Sequence, residues 1–147
     1  MEVALCWGWI DGQKKGFDDH CFLQRFTPRR PRSIWSKMNA NRVAALIEAG
    51  RMQSAGQAQI DAAKADGRWD GAYDGARTST VPDDLRAALA SNPAAEQFFA
   101  TVNATNRYAV LWRVQTAVRP QTRTKRIVQL VEMLARGEVI HIFRPKA

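Results

Sequence analysis

The sequence predicts an α+β fold: an N-terminal antiparallel β-hairpin or small sheet packed against about six helices, ending in a C-terminal helical motif. Three observations carry this. Apolar and turn-forming residues alternate from Trp9 to Thr27 around Gly16-Phe17-Asp18-Asp19, a hairpin pattern. Beyond Ser36 the apolar spacing changes to i, i+3, i+4, the helical period. Helix-opening prolines then recur at Pro82, Pro93 and Pro120. A chain of 147 residues, 46% hydrophobic and 24% charged, has the size and composition of one globular domain. The expected organisation is a single domain over 1–147: hairpin and basic loop at 1–36, a helical pair at 37–67, and the helical motif at 81–137.

Taken in order, Glu2 to Trp7 reads as the tail of a helix that Gly8 breaks. Trp9–Lys15 and His20–Thr27 read as the two strands. An isolated hairpin is marginal in water, so the helices are expected to pack on it. Pro28 and Pro31 bias the residues before them away from helix, which predicts extended chain from Thr27 to Ser33. Ser36 or Asn39 caps the next helix, with Val43, Leu46 and Ile47 on one face and Gly50 as its stop. Ser54 is expected to cap a weaker helix that Gly67 closes. Arg68 to Thr80 has little apolar periodicity and reads as an ordered loop pinned by Trp69 and Tyr73.

Val81-Pro82-Asp83-Asp84 places proline in a first helical turn, with acids set against the macrodipole. Asn92-Pro93 repeats the device and presents Phe98, Phe99 and Val102. Asn103 caps a helix that is apolar over much of its circumference (Tyr108, Val110, Leu111, Trp112, Val114), and such a helix is expected to be central. Arg119-Pro120 opens the last helix, with Ile127, Leu130, Val131 and Leu134 at helical spacing before Gly137. Val139 to Phe143 is expected to add a short strand.

The net charge of +8 and a pI near 10.2 favour polyanionic partners through the long-range field. The charge is uneven. Arg25, Arg29, Arg30, Arg32, Lys37 and Arg42 follow one another without an acid, and a second basic run from Arg107 to Arg126 flanks an acidic middle. No apolar run reaches the roughly 20 residues of a membrane span. The N-terminus lacks the features of a secretion signal, so a cytoplasmic location is expected. Cys6 and Cys21 then read as reduced, small core residues. No Cys/His cluster has metal-ligand spacing, and no glycine loop for phosphate or nucleophile–base pair is present. No catalytic residue, metal or cofactor is therefore assigned.

Arg29, Arg30 and Arg32 with Lys37 can present forks suited to phosphate or carboxylate, on a loop stiffened by Pro28 and Pro31. Trp35 can stack on a base or guanidinium. The same arginines can instead pair with Asp11, Asp18, Asp19 or the acidic middle, and both readings stay open. Trp7, Trp9, Trp69 and Trp112 are expected in the core. The candidate anion site is thus Trp9, Asp11, Arg25, Arg29, Arg30, Arg32, Trp35 and Lys37. Arg119, Arg123 and Arg126 form a secondary basic face, read first as the solvated side of the last helix.

The segment ALCWGWIDGQKKGFDDHCFLQRFTPRRPRSIWSKMN, then VPDDLRAAL, AAEQFF and RPQTRTKRIVQLVEMLARGE, resembles the YdeI/OmpD-associated family, also labelled bacteriocin-protection, over about Glu2 to Glu138. The resemblance implies tolerance of antimicrobial peptides and association with an outer-membrane porin, with no enzymatic mechanism. Proteins of this type usually carry a further N-terminal segment before ALCWGWID. Without it, a homodimer contact or a covering loop is expected at the exposed hairpin edge. The expected function is a non-enzymatic binding protein of stress tolerance. The alternatives are a module binding nucleic acid or a phosphate ligand, and an enzyme acting on a phosphorylated small molecule.

Overall fold

The computed structural model describes residues 1–142, which form a two-stranded antiparallel sheet and seven helices, an α+β arrangement as the sequence predicts. The chain divides into two compact units, Met1–Ala72 and Tyr73–Ala147. The division falls within the irregular stretch from Arg68 to Thr80.

In the first unit, α1 (Glu2–Cys6) leads into β1 (Trp9–Gly16) and β2 (Phe22–Pro28), followed by α2 (Lys37–Glu48) and α3 (Ser54–Ala65). Gly8 makes the turn from α1 to β1 with φ +74, where an added Cβ would also meet Gln59 Cγ at 2.8 Å. Asp18 Oδ1 accepts the backbone N–H groups of His20 and Cys21 and closes the hairpin turn. The register pairs Trp9 with Pro28 and Gly16 with Phe22, with an irregularity between Asp11 and Lys14. Ser36, rather than Asn39, caps α2 by accepting the Asn39 N–H. Ser54 is the first residue of α3 and does not cap it; Gln53 holds that position without a side-chain bond.

The core of this unit is Leu5, Cys6, Trp35, Val43, Leu46, Ile60 and Ala63, with α1 packed against α2, α3 and β1. Gly56 lets α3 approach α1 so closely that a Cβ there would overlap the Cys6 carbonyl. Ile47, expected on the buried face, is exposed. Extended chain ends at Pro28. Arg30 to Ser33 form a turn instead, because Pro31 occupies its second position, where a fixed φ favours reversal. Ser33 N–H donates to Arg30 O, and Ser33 Oγ accepts the Arg30 N–H. Both cysteines are free: Cys6 is in the core, whereas Cys21 is exposed beside the hairpin turn. Among the described residues no third strand joins the sheet, and Phe17, Phe22 and Leu23 remain exposed on it.

The second unit contains α4 (Asp83–Ala90), α5 (Pro93–Thr101), α6 (Ala104–Gln115) and α7 (Pro120–Ala135). Pro82 sits at the N-cap of α4, one step before the expected first turn. Asn92 and Asn103 cap α5 and α6 through the Ala95 and Asn106 N–H groups. Helix α7 packs against α4, α5 and α6, and its Ile127, Leu130, Val131 and Leu134 are all buried. The central helix is therefore α7, not α6. Val110, Leu111 and Val114 of α6 enter the core, while Trp112 stands 38% exposed. No strand forms over 139–142, and Phe143 lies outside the described residues.

Candidate functional site

The predicted anion site does not assemble as one surface. Trp35 is 1% exposed and Arg29 7%. The Arg29 guanidinium lies 3.6 Å from the Trp35 ring centroid and donates to Ile34 O at 3.2 Å. Trp69 also packs on Trp35, 5.0 Å between ring centroids in a tilted contact. A buried cation over an aromatic face holds the chain together and offers nothing to an external ligand. Arg25, Arg30, Arg32, Lys37 and Asp11 are exposed, as is Trp9 at 41%. Trp9 instead helps line a shallow apolar cleft with Met1, Val3, Ala4, Trp7 and Phe26, which includes neither Asp11 nor any of the loop arginines. The expected placement of the tryptophans is thus largely reversed. Trp7, Trp9 and Trp112 are exposed, and Trp35 is the core residue, packed between Arg29, Trp69 and the core of its unit.

The secondary basic face is also internal in large part. Helix α6 ends at Gln115, where Thr116 and Ala117 donate their N–H groups to Trp112 O and Val114 O and the remaining acceptor capacity of the last turn faces α7. Arg123 Nη1 donates to Val114 O at 2.9 Å, and Arg126 Nη1 donates to Arg113 O at 2.7 Å and to Thr116 Oγ1 at 3.3 Å. Two arginines of α7 therefore cap α6, rather than standing on a solvated side. Arg123 also grips Asp84 through Nε and Nη2, at 2.5 and 2.9 Å. This bond holds the Asp84 carboxyl below its ordinary range and raises the Arg123 guanidinium further. Arg119 is exposed.

What the second unit does present is a cleft of about 550 Å³ on the outer side of α6. Its floor is Ala104, Thr105, Tyr108, Ala109, Trp112 and Arg113, where the surplus apolar residues of α6 stand beside one threonine and one arginine. One wall is the segment carrying Tyr73 and Ala76. Gln115 holds that segment at two points, accepting the Asp74 N–H at 2.8 Å and donating to Ser79 Oγ at 2.5 Å. The Tyr108 hydroxyl donates to Asp74 O at 3.1 Å, and burial, with Tyr73 and Asp74 nearby, pushes its pKa up. Tyr73 meets Trp112 edge-on at 6.2 Å.

The opposite wall is Ile140 and His141. Here the buried Asn106 side chain accepts the His141 N–H at 2.8 Å and donates to His141 O at 3.1 Å. A side-chain amide thus satisfies both backbone groups of His141 in a segment that runs as a loop. On the other side of Trp112 and Arg113 lies a second groove of about 490 Å³, with Thr116, Arg126, Gln129, Leu130 and Met133. Among the described residues no Asp or Glu lines either space. Sequence reasoning did not find Gln115, Asn106 or Arg113. The one signal was the excess apolar circumference of α6, which read as a core helix.

Residues 78–137 match the family described as Bacteriocin-protection, YdeI or OmpD-Associated. The YdeI/OmpD-associated resemblance therefore holds for this stretch, which runs from just before α4 to just past α7. Residues 1–59, with the ALCWGWID segment, match a different family, a Domain of unknown function (DUF8412). Within the cleft, the floor on α6 lies inside the YdeI/OmpD-associated match, whereas Tyr73, Ala76, Ile140 and His141 lie outside it. No curated protein and no solved structure matches the chain significantly. Among the described residues no helix is long and apolar enough to cross a membrane, and no group of metal-binding side chains occurs.

Proposed function

We propose that the chain is a non-enzymatic binding protein of the YdeI/OmpD-associated type, contributing to tolerance of antimicrobial peptides or bacteriocins. The observation that supports this is the cleft on α6, whose aromatic floor belongs to the stretch matching that family. An apolar concavity with a few polar groups is the usual form of a binding site. A net charge of +8 repels cationic peptides at long range, so sequestering them is not the route. Protection runs instead through an anionic or acidic partner held at the cleft.

The test is deletion of the gene in its host, with survival scored against a bacteriocin dose series. Deletion is expected to lower the tolerated dose several-fold, and the wild-type gene to restore it. A Trp112→Ala, Arg113→Glu double variant that folds normally should fail to restore it. Unchanged survival of the deletion strain refutes the tolerance reading, and full rescue by the variant places the function away from the cleft.

A further inference from the structure

The Trp112–Arg113 step of α6 borders both the aromatic cleft and the groove toward α7, so the two spaces form one elongated surface with these residues as its ridge. The surface is apolar at one end, through Tyr108 and Ile140, and cationic at the ridge and beyond it. The Arg113 side chain is exposed and makes no ion pair or hydrogen bond among the described residues. Arg126 spends Nη1 on the end of α6, which leaves its Nε and Nη2 hydrogens available. His141 engages Asn106 through its backbone alone. With two arginines, one histidine and no carboxylate around them among the described residues, these spaces are complementary to negative charge carried next to an apolar body.

We propose that this surface binds an acidic peptide segment of a partner protein, placing an aromatic side chain in the cleft and flanking carboxylates on Arg113 and Arg126. The proposal rests on the binding reading above and names the chemistry of its partner. An extended segment suits the geometry better than a compact ligand, since a small molecule in the cleft alone would not reach Arg126. Arg113 would supply a bidentate, charge-assisted contact. Trp112 would supply the rigid aromatic contact on which such interfaces concentrate their affinity.

The experiment uses fluorescence anisotropy with the labelled hexapeptide Asp-Phe-Glu-Asp-Phe-Glu on the full chain. Two counterparts are measured beside it, one with lysine for every acid and one with alanine for every phenylalanine. The acidic aromatic peptide is expected to bind at least roughly tenfold more tightly than either. Arg113→Glu, which removes no hydrogen bond of the fold, should weaken it by a similar factor with the melting temperature little changed, and Trp112→Ala should also weaken it, with a lower melting temperature because the edge contact with Tyr73 is lost. Equal binding of the basic peptide, or an unaffected Arg113→Glu variant, overturns the proposal. So does N-acetylphenylalanine binding as tightly as the peptide, which would make the cleft a small-molecule site. Failure here with a sensitised deletion strain leaves the tolerance reading in place and removes only the acidic-peptide partner. An insensitive deletion strain with tight, Arg113-dependent binding does the reverse.

Discussion

Replacing Arg123 with methionine distinguishes an arginine that holds helices together from one that waits for a phosphate. Methionine keeps much of the aliphatic stem and removes the bidentate grip on Asp84 and the bond to Val114 O. The Arg123 and Asp84 side chains are 29% and 46% exposed, so their attraction is largely screened and contributes about 0.5–1 kcal/mol. The charged donor on a helix-terminal carbonyl contributes about 1.5 kcal/mol. The expected loss at pH 7 is about 2–2.5 kcal/mol by urea denaturation, near 10 °C in midpoint for a unit of this size. Because Arg123 holds the Asp84 carboxyl below the ordinary aspartate range, the pair's contribution is fully present above about pH 4 and disappears as pH falls through the lowered value. The gap between wild type and Arg123→Met should therefore narrow in acid to the Val114 contribution alone. A gap under about 0.5 kcal/mol at pH 7 would refute the capping account and return Arg123 to the solvent-facing stripe, and a full gap that fails to narrow in acid would refute the contribution of the Asp84 pair.

Three further outcomes follow from the same contacts. Arg29→Ala should cost about 3 kcal/mol through loss of the buried stack on Trp35 and the Ile34 bond, whereas Arg30→Ala and Arg32→Ala should each stay within about 0.5, as urea titrations would show. Gly56→Ala should cost about 3 kcal/mol or more, since its Cβ would lie 2.8 Å from the Cys6 carbonyl carbon; Gly16→Ala, with nothing within 4 Å, is the matched control in the same denaturation assay. Asn106→Ala should cost about 2 kcal/mol for its two bonds to His141, and hydrogen exchange at the His141 amide should accelerate while α7 stays protected.

The parts of the fold that were legible are those decided locally. Asn92 and Asn103 cap helices through bonds three residues away, and Ile127, Leu130, Val131 and Leu134 mark a buried face by spacing alone. The hairpin was legible for the same reason, since Asp18 closes its own turn. The site was not, because its parts meet only in three dimensions. Arg123 and Arg126 look like any solvated basic face until the end of α6 is placed against them. Trp35 and Trp9 are the same residue type, and the sequence around them does not show which one is buried. The cleft draws on Tyr73, α6 and His141, positions too far apart in sequence for any spacing rule to join.

The walls of that cleft are fastened by Gln115 and Asn106, two carboxamides that carry no charge and do not titrate. Tyr108, the third fastening, is a phenol whose pKa burial pushes up from its ordinary value. Ionic strength and acidity thus have little purchase on the cavity's outline, and the charges that respond to them sit on its rim. Whatever salt dependence an occupant displays will accordingly measure its own charge against Arg113 and Arg126, undistorted by any opening or closing of the receptacle.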